Sequence, residues 1–219
     1  MKEIFLIRHG RQNSKRCNVD VELAPEGREQ ARAAGKRLQT YGIEKLYHSD
    51  LVRARQTAQI INEFLQVPCE ELTGIQEIDF GGLTGKTEEE IRSEFSDFQK
   101  ERSLHRSDLR YPGDGECGED VVRRAMPKIR SLCEKKEDRI AVVTHGGVIR
   151  SLCAFVLESN QKNKLKFGID LENASFTELL YDENRELFFL ERFNDFAHLE
   201  GHPELLRSGW ITSLERQTS

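Results

Sequence analysis

Residues 4–10 read Ile4-Phe5-Leu6-Ile7-Arg8-His9-Gly10, and the fold is decided by how this stretch is read. Four apolar residues in a row predict a strand buried on both faces, the pattern of a parallel sheet covered by helices. The run stops at a cation, an imidazole and a glycine. In open α/β sheets the carboxyl ends of the strands form the edge where ligands bind. Arginine beside histidine suits a phosphoryl group: the guanidinium holds oxygens bidentately and the imidazole can attack phosphorus. The plain alternative is a strand end with a solvated polar tip. A second stretch weighs against it. Ile140-Ala141-Val142-Val143-Thr144 is another apolar, β-branched run, and it ends in His145-Gly146-Gly147, with Arg150 in the helix-like segment that follows. Two buried strands that both end in His-Gly predict two histidines converging on one sheet edge.

The rest of the chain alternates strand and helix. A helix is expected from Pro25 to Thr40, with Pro25 in the first position and Ala24 as a poor cap. A short strand is expected from Lys45 to His48. Ser49 or Asp50 then caps a helix over Leu51 to Gln66, whose residues Leu51, Ala54, Ala58, Ile61 and Leu65 share one face. Residues 83–118 are rich in charge and carry Phe95 and Phe98, and they are expected to form a helical lid inserted after the third strand. A helix from Glu119 to Lys135 should be kinked at Pro127. Another covers 147–158. Residues 174–181 and 187–193 read as an edge hairpin around Asp182–Arg185, and the last 25 residues as packed over the outside or partly loose. This order predicts one domain over 1–219, an α/β/α sandwich of three layers with a mainly parallel sheet and an antiparallel edge.

Composition narrows the function. The chain has 219 residues, 37% hydrophobic and 32% charged, and a net charge of −5, which argues against a general nucleic-acid partner. No apolar run approaches the roughly 18 residues of a membrane span. The first residues run directly into a strand with no apolar leader, so the expected location is cytoplasmic. Cys17, Cys69, Cys117, Cys133 and Cys153 form no C-x-x-C pair and read as free thiols. His198 and His202 flank Gly201 ahead of Pro203, a poor setting for a metal site. No metal or other cofactor is expected. Arg8, Arg11, Lys15 and Arg16 form a local basic stretch without acids, suited to a small anionic substrate.

Two further segments carry chemistry. Ser49-Asp50-Leu51-Val52-Arg53-Ala54-Arg55-Gln56-Thr57-Ala58 puts Arg53 in the first turn of a helix, where anions bind. Gln76-Glu77-Ile78-Asp79-Phe80-Gly81 puts an acid just after a strand, and either Glu77 or Asp79 could be a general acid.

Taken in order, these segments resemble the histidine phosphatase superfamily, in its phosphoglycerate mutase-like branch. Leu6 to Gly10 resembles its signature, Ser49 to Ala58 its S-x-L-x-R-A-x-Q-T-A segment, and Glu77 to Gly81 with Gly85 its E-x-x-F-G-x-x-x-G. Gly115-Glu116 resembles its G-E-S, with Cys117 in place of serine, and Val143 to Arg150 its second-histidine motif. The resemblance implies a phosphoglycerate mutase-like fold and a phosphomonoester hydrolase for a small phosphorylated metabolite. It implies His9 as nucleophile, Glu77 as proton donor, Asp79 as structural, and Arg8, Arg53, His145 and Gly146 around the phosphoryl group. A mutase that returns the phosphoryl group to substrate is the alternative. Mutases of the family carry a longer insertion between the acid and the second histidine, which favours hydrolysis here. A non-catalytic phospho-ligand domain is the third reading. In one place the chain departs from the family. The family continues R-H-G-x-T-x-x-N, whereas Gln12 and Lys15 stand at those positions here and Asn13 falls two residues early. Either Asn13 reaches the phosphate through a changed loop, or Lys15 replaces a neutral donor.

Overall fold

The computed structural model describes residues 1–168 and 170–207. Twelve elements build the frame: β1 (Lys2–Arg8), α1 (Pro25–Leu38), β2 (Lys45–His48), α2 (Val52–Leu65), β3 (Cys69–Glu71), α3 (Glu88–Glu94), α4 (Ser96–Ser103), α5 (Gly118–Cys133), β4 (Arg139–Thr144), α6 (Gly146–Val156), β5 (Phe176–Asp182) and β6 (Leu187–Asp195). The strands form one six-stranded sheet in the order β3-β2-β4-β1-β5-β6. β1, β2, β3 and β4 run parallel, and β5 and β6 are antiparallel.

The pleat explains why β1 and β4 are apolar throughout. Ile4 pairs with Ile140 and Leu6 with Val142, and these four face α5 and α6 with Val121, Ile129, Ile149 and Leu152. Their neighbours Phe5, Ile7, Ala141 and Val143 face the other way, onto Ala34 and Leu38 of α1 and Ala54, Ala58 and Ile61 of α2. Successive side chains point to opposite faces, so a strand covered on both sides must be apolar at every position. Each fully buried large side chain contributes on the order of 2 kcal/mol. The sheet is thus sandwiched between two helical layers, as the sequence predicts.

Several boundaries differ from expectation. α1 ends at Leu38 and tightens into a 3-10 turn over Gln39–Tyr41. α2 begins at Val52, and neither Ser49 nor Asp50 caps it; Asp20, from the loop after β1, accepts from the Val52 N–H at 2.8 Å. β3 stops at Glu71, so Glu77 lies in a loop rather than directly after a strand. The 83–118 insertion holds two short helices, α3 and α4, with Phe95 between them and Phe98 on the second. α5 starts at Gly118 and is helical through Pro127 to Cys133 without a break. β5 starts at Phe176, two residues later than expected. Of the last 25 residues, Leu199 and Leu205 are buried in short 3-10 turns. The expectation for 208–219 lies outside the described residues. Among the described residues, no helix is long and apolar enough to cross a membrane.

Candidate active site

The site follows from strand register. Arg8 pairs with Thr144, so the residues that leave β1 and β4 emerge side by side. The His9 N–H donates to the Thr144 carbonyl at 2.9 Å, and the His9 and His145 rings lie 5.0 Å apart, tilted by 54°. The loop leaving β1 is pinned against the first turn of α1. A Cβ on Gly27 would sit 2.2 Å from the Arg11 carbonyl oxygen, and one on Gly10 2.4 Å from the Gly27 oxygen. Only glycine allows this approach, which fixes where the histidine emerges.

Hydrogen bonds set the His9 tautomer. Nδ1 lies 2.7 Å from the Gly10 carbonyl oxygen, which can only accept, so Nδ1 carries the proton. Nε2 keeps its lone pair and accepts from Arg53 Nε at 3.2 Å. Burial first, then the Arg53 and Arg8 charges, hold His9 well below the ordinary imidazole pKa. A neutral imidazole with a bare Nε2 is the nucleophilic form. Asn173 Nδ2 donates to the His9 carbonyl at 2.8 Å, and the Gly10 N–H donates to Thr57 Oγ1 at 3.0 Å, so the backbone on both sides of the ring is tied down.

Two guanidiniums flank the histidines. Arg53 is 1% exposed and donates to the Val19 carbonyl at 3.1 Å and to Asn18 Oδ1 at 2.8 Å. Arg8 donates to the Leu171 carbonyl, and its Nε is buried with no hydrogen-bond partner among the described residues. Burial, and next the Arg207 charge, push Arg8 down to about 9, which leaves it charged at neutral pH. Among the described residues, no carboxylate pairs with either arginine. Burial without a direct ion pair makes their charge costly, and an anionic ligand between the two reduces that cost.

His145 is fully buried at the N-cap of α6, with its Nε2 2.8 Å from Ser49 Oγ. Burial first, then the His9 ring and the arginines, keep it well below the usual imidazole range. A Cβ on Gly146 would lie 3.5 Å from Arg8 Nε, so the start of α6 sits against that arginine. Gly147 contacts the acid. Its N–H donates to Glu77 Oε1 at 2.9 Å, as does the Ile78 N–H at 2.9 Å, and a Cβ on Gly147 would lie 2.5 Å from that oxygen. Glu77 is thereby clamped through Oε1, and Oε2 remains for chemistry. Asp79 is exposed and folds its own turn, accepting from the Gly81 N–H at 2.8 Å. Of the two acids left open by the sequence, Glu77 is the one held against α6.

The altered loop is where expectation and structure part. Asn13 and Lys15 are exposed, and no side-chain bond joins either to the two histidines or to Arg8 and Arg53. The asparagine that reaches the cluster is Asn18, bonded to Arg53. Sequence reasoning missed it because the loop is three residues longer than the family spacing. Following the next asparagine along the loop, instead of counting a fixed interval, would have found it. Asn173 was also missed. Glu116 is structural: it grips Arg124 at 2.7 and 2.8 Å and accepts from the Asp79 N–H. Cys117 is the N-cap of α5, its N–H held by Asp120 Oδ2 at 2.9 Å.

A cavity of about 310 Å³ opens beside the acid, lined by Asn18, Leu51, Gln76, Glu77, Asp79 and Glu116. A larger one, about 660 Å³, lies between α5, the end of α6 and the β5–β6 hairpin, and none of the clustered residues lines it. The smaller one adjoins the cluster through Glu77 and Asn18. Among the described residues, no three His, Cys, Asp or Glu side chains gather as a metal site.

Comparison with known proteins identifies a family. The family profile of the histidine phosphatase superfamily (branch 1) matches residues 4–195. The chain is 32% identical over 220 residues to phosphoglycerate mutase-like protein 4 of Arabidopsis thaliana, covering 95% of this chain and 91% of that one. It is 28% identical over 208 residues to a metal-independent phosphoserine phosphatase of the same plant, covering 90% and 83%. Among solved structures, the mycobacterial glucosyl-3-phosphoglycerate phosphatase in complex with inorganic phosphate superposes with a TM-score of 0.81 at 25% identity, over 90% of this chain and 99% of that one.

Proposed function

The chain belongs to the histidine phosphatase superfamily, and from that membership we propose a metal-independent phosphomonoester hydrolase that acts through a phosphohistidine on a small phosphorylated metabolite. The observation that carries this reading is the unprotonated Nε2 of His9, which faces the buried Arg53 guanidinium, with Arg8 close by and no ion pair to either arginine among the described residues. Nε2 attacks phosphorus as the bond to the leaving oxygen breaks. Arg8, Arg53 and His145 stabilise the charge on the three non-bridging oxygens. Protonated Glu77 gives its proton to the leaving oxygen. In the second step a water attacks the phosphohistidine, Glu77 takes its proton, and phosphate leaves with His9 restored. Asn18 takes the pocket role that the sequence left between Asn13 and Lys15, and Gly146 opens α6 beside Arg8.

The segment 83–118 acts as the lid of a single domain over 1–219 in this reading. Relatives named for phosphoserine and glucosyl-3-phosphoglycerate support a small phosphorylated substrate. A cytoplasmic location belongs to the same proposal, supported by five cysteines that are all free. A mutase is the second reading, favoured by the phosphoglycerate mutase-like relative.

Rapid mixing with a 32P-labelled phosphomonoester, quenched in base, tests the reading. An acid-labile phosphoprotein should form and decay to inorganic phosphate. His9→Ala should form none and lose turnover by on the order of 10³ or more. Label that passes to a second substrate molecule instead of water would favour the mutase. Wild-type turnover in the His9 variant would end both.

A further inference from the structure

The second histidine raises a question that the roles above leave open: which ring nitrogen carries its proton. Ser49 lies directly before the loop into α2 and is fully buried. Its Oγ has three polar neighbours: His145 Nε2 at 2.8 Å, Asp50 Oδ1 at 3.3 Å and the Leu51 N–H at 3.3 Å. A hydroxyl has one proton to donate and two lone pairs to accept with. Leu51 can only donate, so it occupies a lone pair. The proton then goes to Nε2 or to Asp50. A distance of 2.8 Å is the ordinary length of a bond from a hydroxyl, whereas 3.3 Å lies outside the usual range for one to a carboxylate. The shorter contact takes the proton.

We propose that Ser49 is the positioning residue for His145: its hydroxyl donates to Nε2 and so fixes the neutral ring with its proton on Nδ1, as a hydrogen-bond donor for a phosphoryl oxygen. His145 Nδ1 is buried and has no hydrogen-bond partner among the described residues. A buried N–H left unpaired is costly, and an oxygen of the ligand would supply the missing acceptor. The opposite tautomer would turn a lone pair toward the same oxygens and repel them. Both rings then carry their proton on Nδ1, and they differ in which nitrogen is left for the ligand. The Gly10 carbonyl leaves His9 with a bare Nε2 for attack, and Ser49 leaves His145 with an N–H for binding. This inference rests on the phosphatase reading for its purpose but not for its test.

The test is nitrogen-15 NMR of the full chain labelled at histidine, with and without inorganic phosphate. The expected spectrum has His145 protonated at Nδ1 and bare at Nε2, with the Nδ1–H resonance moving as phosphate binds. Protonation at Nε2 with a bare Nδ1 in the wild type overturns the proposal, whatever the enzyme hydrolyses. Ser49→Ala should mix the two tautomers and weaken inorganic phosphate binding by about tenfold, the worth of one hydrogen bond to a charged group. Ser49→Thr, which keeps the hydroxyl, should recover most of that loss. A Ser49→Ala protein with wild-type phosphate affinity and an unchanged His145 spectrum also overturns it. If that variant does not fold, the wild-type spectrum alone decides. Absence of turnover on every phosphomonoester, with Nδ1 protonated, would remove the phosphatase reading and leave the tautomer assignment standing.

Discussion

At the scale of single residues the site divides its labour by what each atom has left after bonding to the protein. Glu77 uses Oε1 on two backbone N–H groups and keeps Oε2. Its proposed role as proton donor has a kinetic signature. Glu77→Gln should slow a sugar phosphate or phosphoserine by on the order of 10² or more, but p-nitrophenyl phosphate far less, because a nitrophenolate needs little protonation. Equal losses on both would reduce Glu77 to a strut. The phosphate loop gives a second contrast. Asn18 bonds to Arg53, while Lys15 is exposed. Asn18→Ala should lower kcat/KM for every phosphomonoester by about tenfold, as loss of a hydrogen bond to a buried charge predicts. Lys15→Asn should leave kcat/KM within about twofold, the scale of a surface substitution. The reverse ranking would return the pocket to Lys15. Glu77 lies in a loop and stayed open against Asp79, but the places of Arg8, His9 and His145 were legible because each follows an apolar strand run. Asn18 was not, because a loop insertion changes sequence spacing without changing where the chain must return.

At the scale of elements, legibility tracked burial. β1 and β4 could be read to within a residue or two because both faces are covered and each position is forced to be apolar. β3 could not. Cys69-Glu70-Glu71 is a three-residue edge with two exposed acids, and its place is set by backbone pairing with β2, which leaves no pattern in side chains. The start of α2 escaped for a similar reason: its first N–H is satisfied by Asp20, distant in sequence. The junction between α6 and the acid loop is the element on which proton transfer depends. A Cβ at residue 147 would meet Glu77 Oε1 at 2.5 Å and Ile78 Cγ2 at 2.7 Å. Gly147→Ala must therefore push the carboxylate or the helix aside. A displacement approaching 1 Å costs on the order of a hundredfold in rate. The variant should lose turnover of substrates with poor leaving groups by between about tenfold and that figure, while thermal unfolding shows the protein still folded. Unchanged kinetics would mean that the clamp on Glu77 is slack.

For the whole molecule, the same burial that prepares the histidines makes the fold sensitive to acid. Burial is the leading cause that lowers His9, His145 and His198. His198 is stacked on Phe176 with ring centroids 4.7 Å apart and is lowered to about 4. In the unfolded chain all three titrate near 6.5. As pH falls through 6.5 the unfolded state takes up protons that the folded state refuses, so the equilibrium shifts toward unfolding. Stability is fully present above 6.5 and declines below it, until each folded histidine also protonates. The slope is about 1.4 kcal/mol per pH unit for each histidine. For His198, the interval from 6.5 to about 4 amounts to roughly 3 kcal/mol. Carboxylates that gain from folding, such as Asp120 at about 2, respond only at lower pH, whereas Glu178, raised by burial, offsets part of the histidine loss. Urea unfolding at pH 7.5, 6.5, 5.5 and 5.0 should show a monotonic loss of stability. His198→Phe keeps an aromatic ring on Phe176 and removes one proton from the linkage. Its curve should fall less steeply than wild type by about 1.4 kcal/mol per pH unit below 6.5. Parallel curves for the two proteins would show that His198 protonates as readily folded as unfolded, and that the burial argument for this position is wrong.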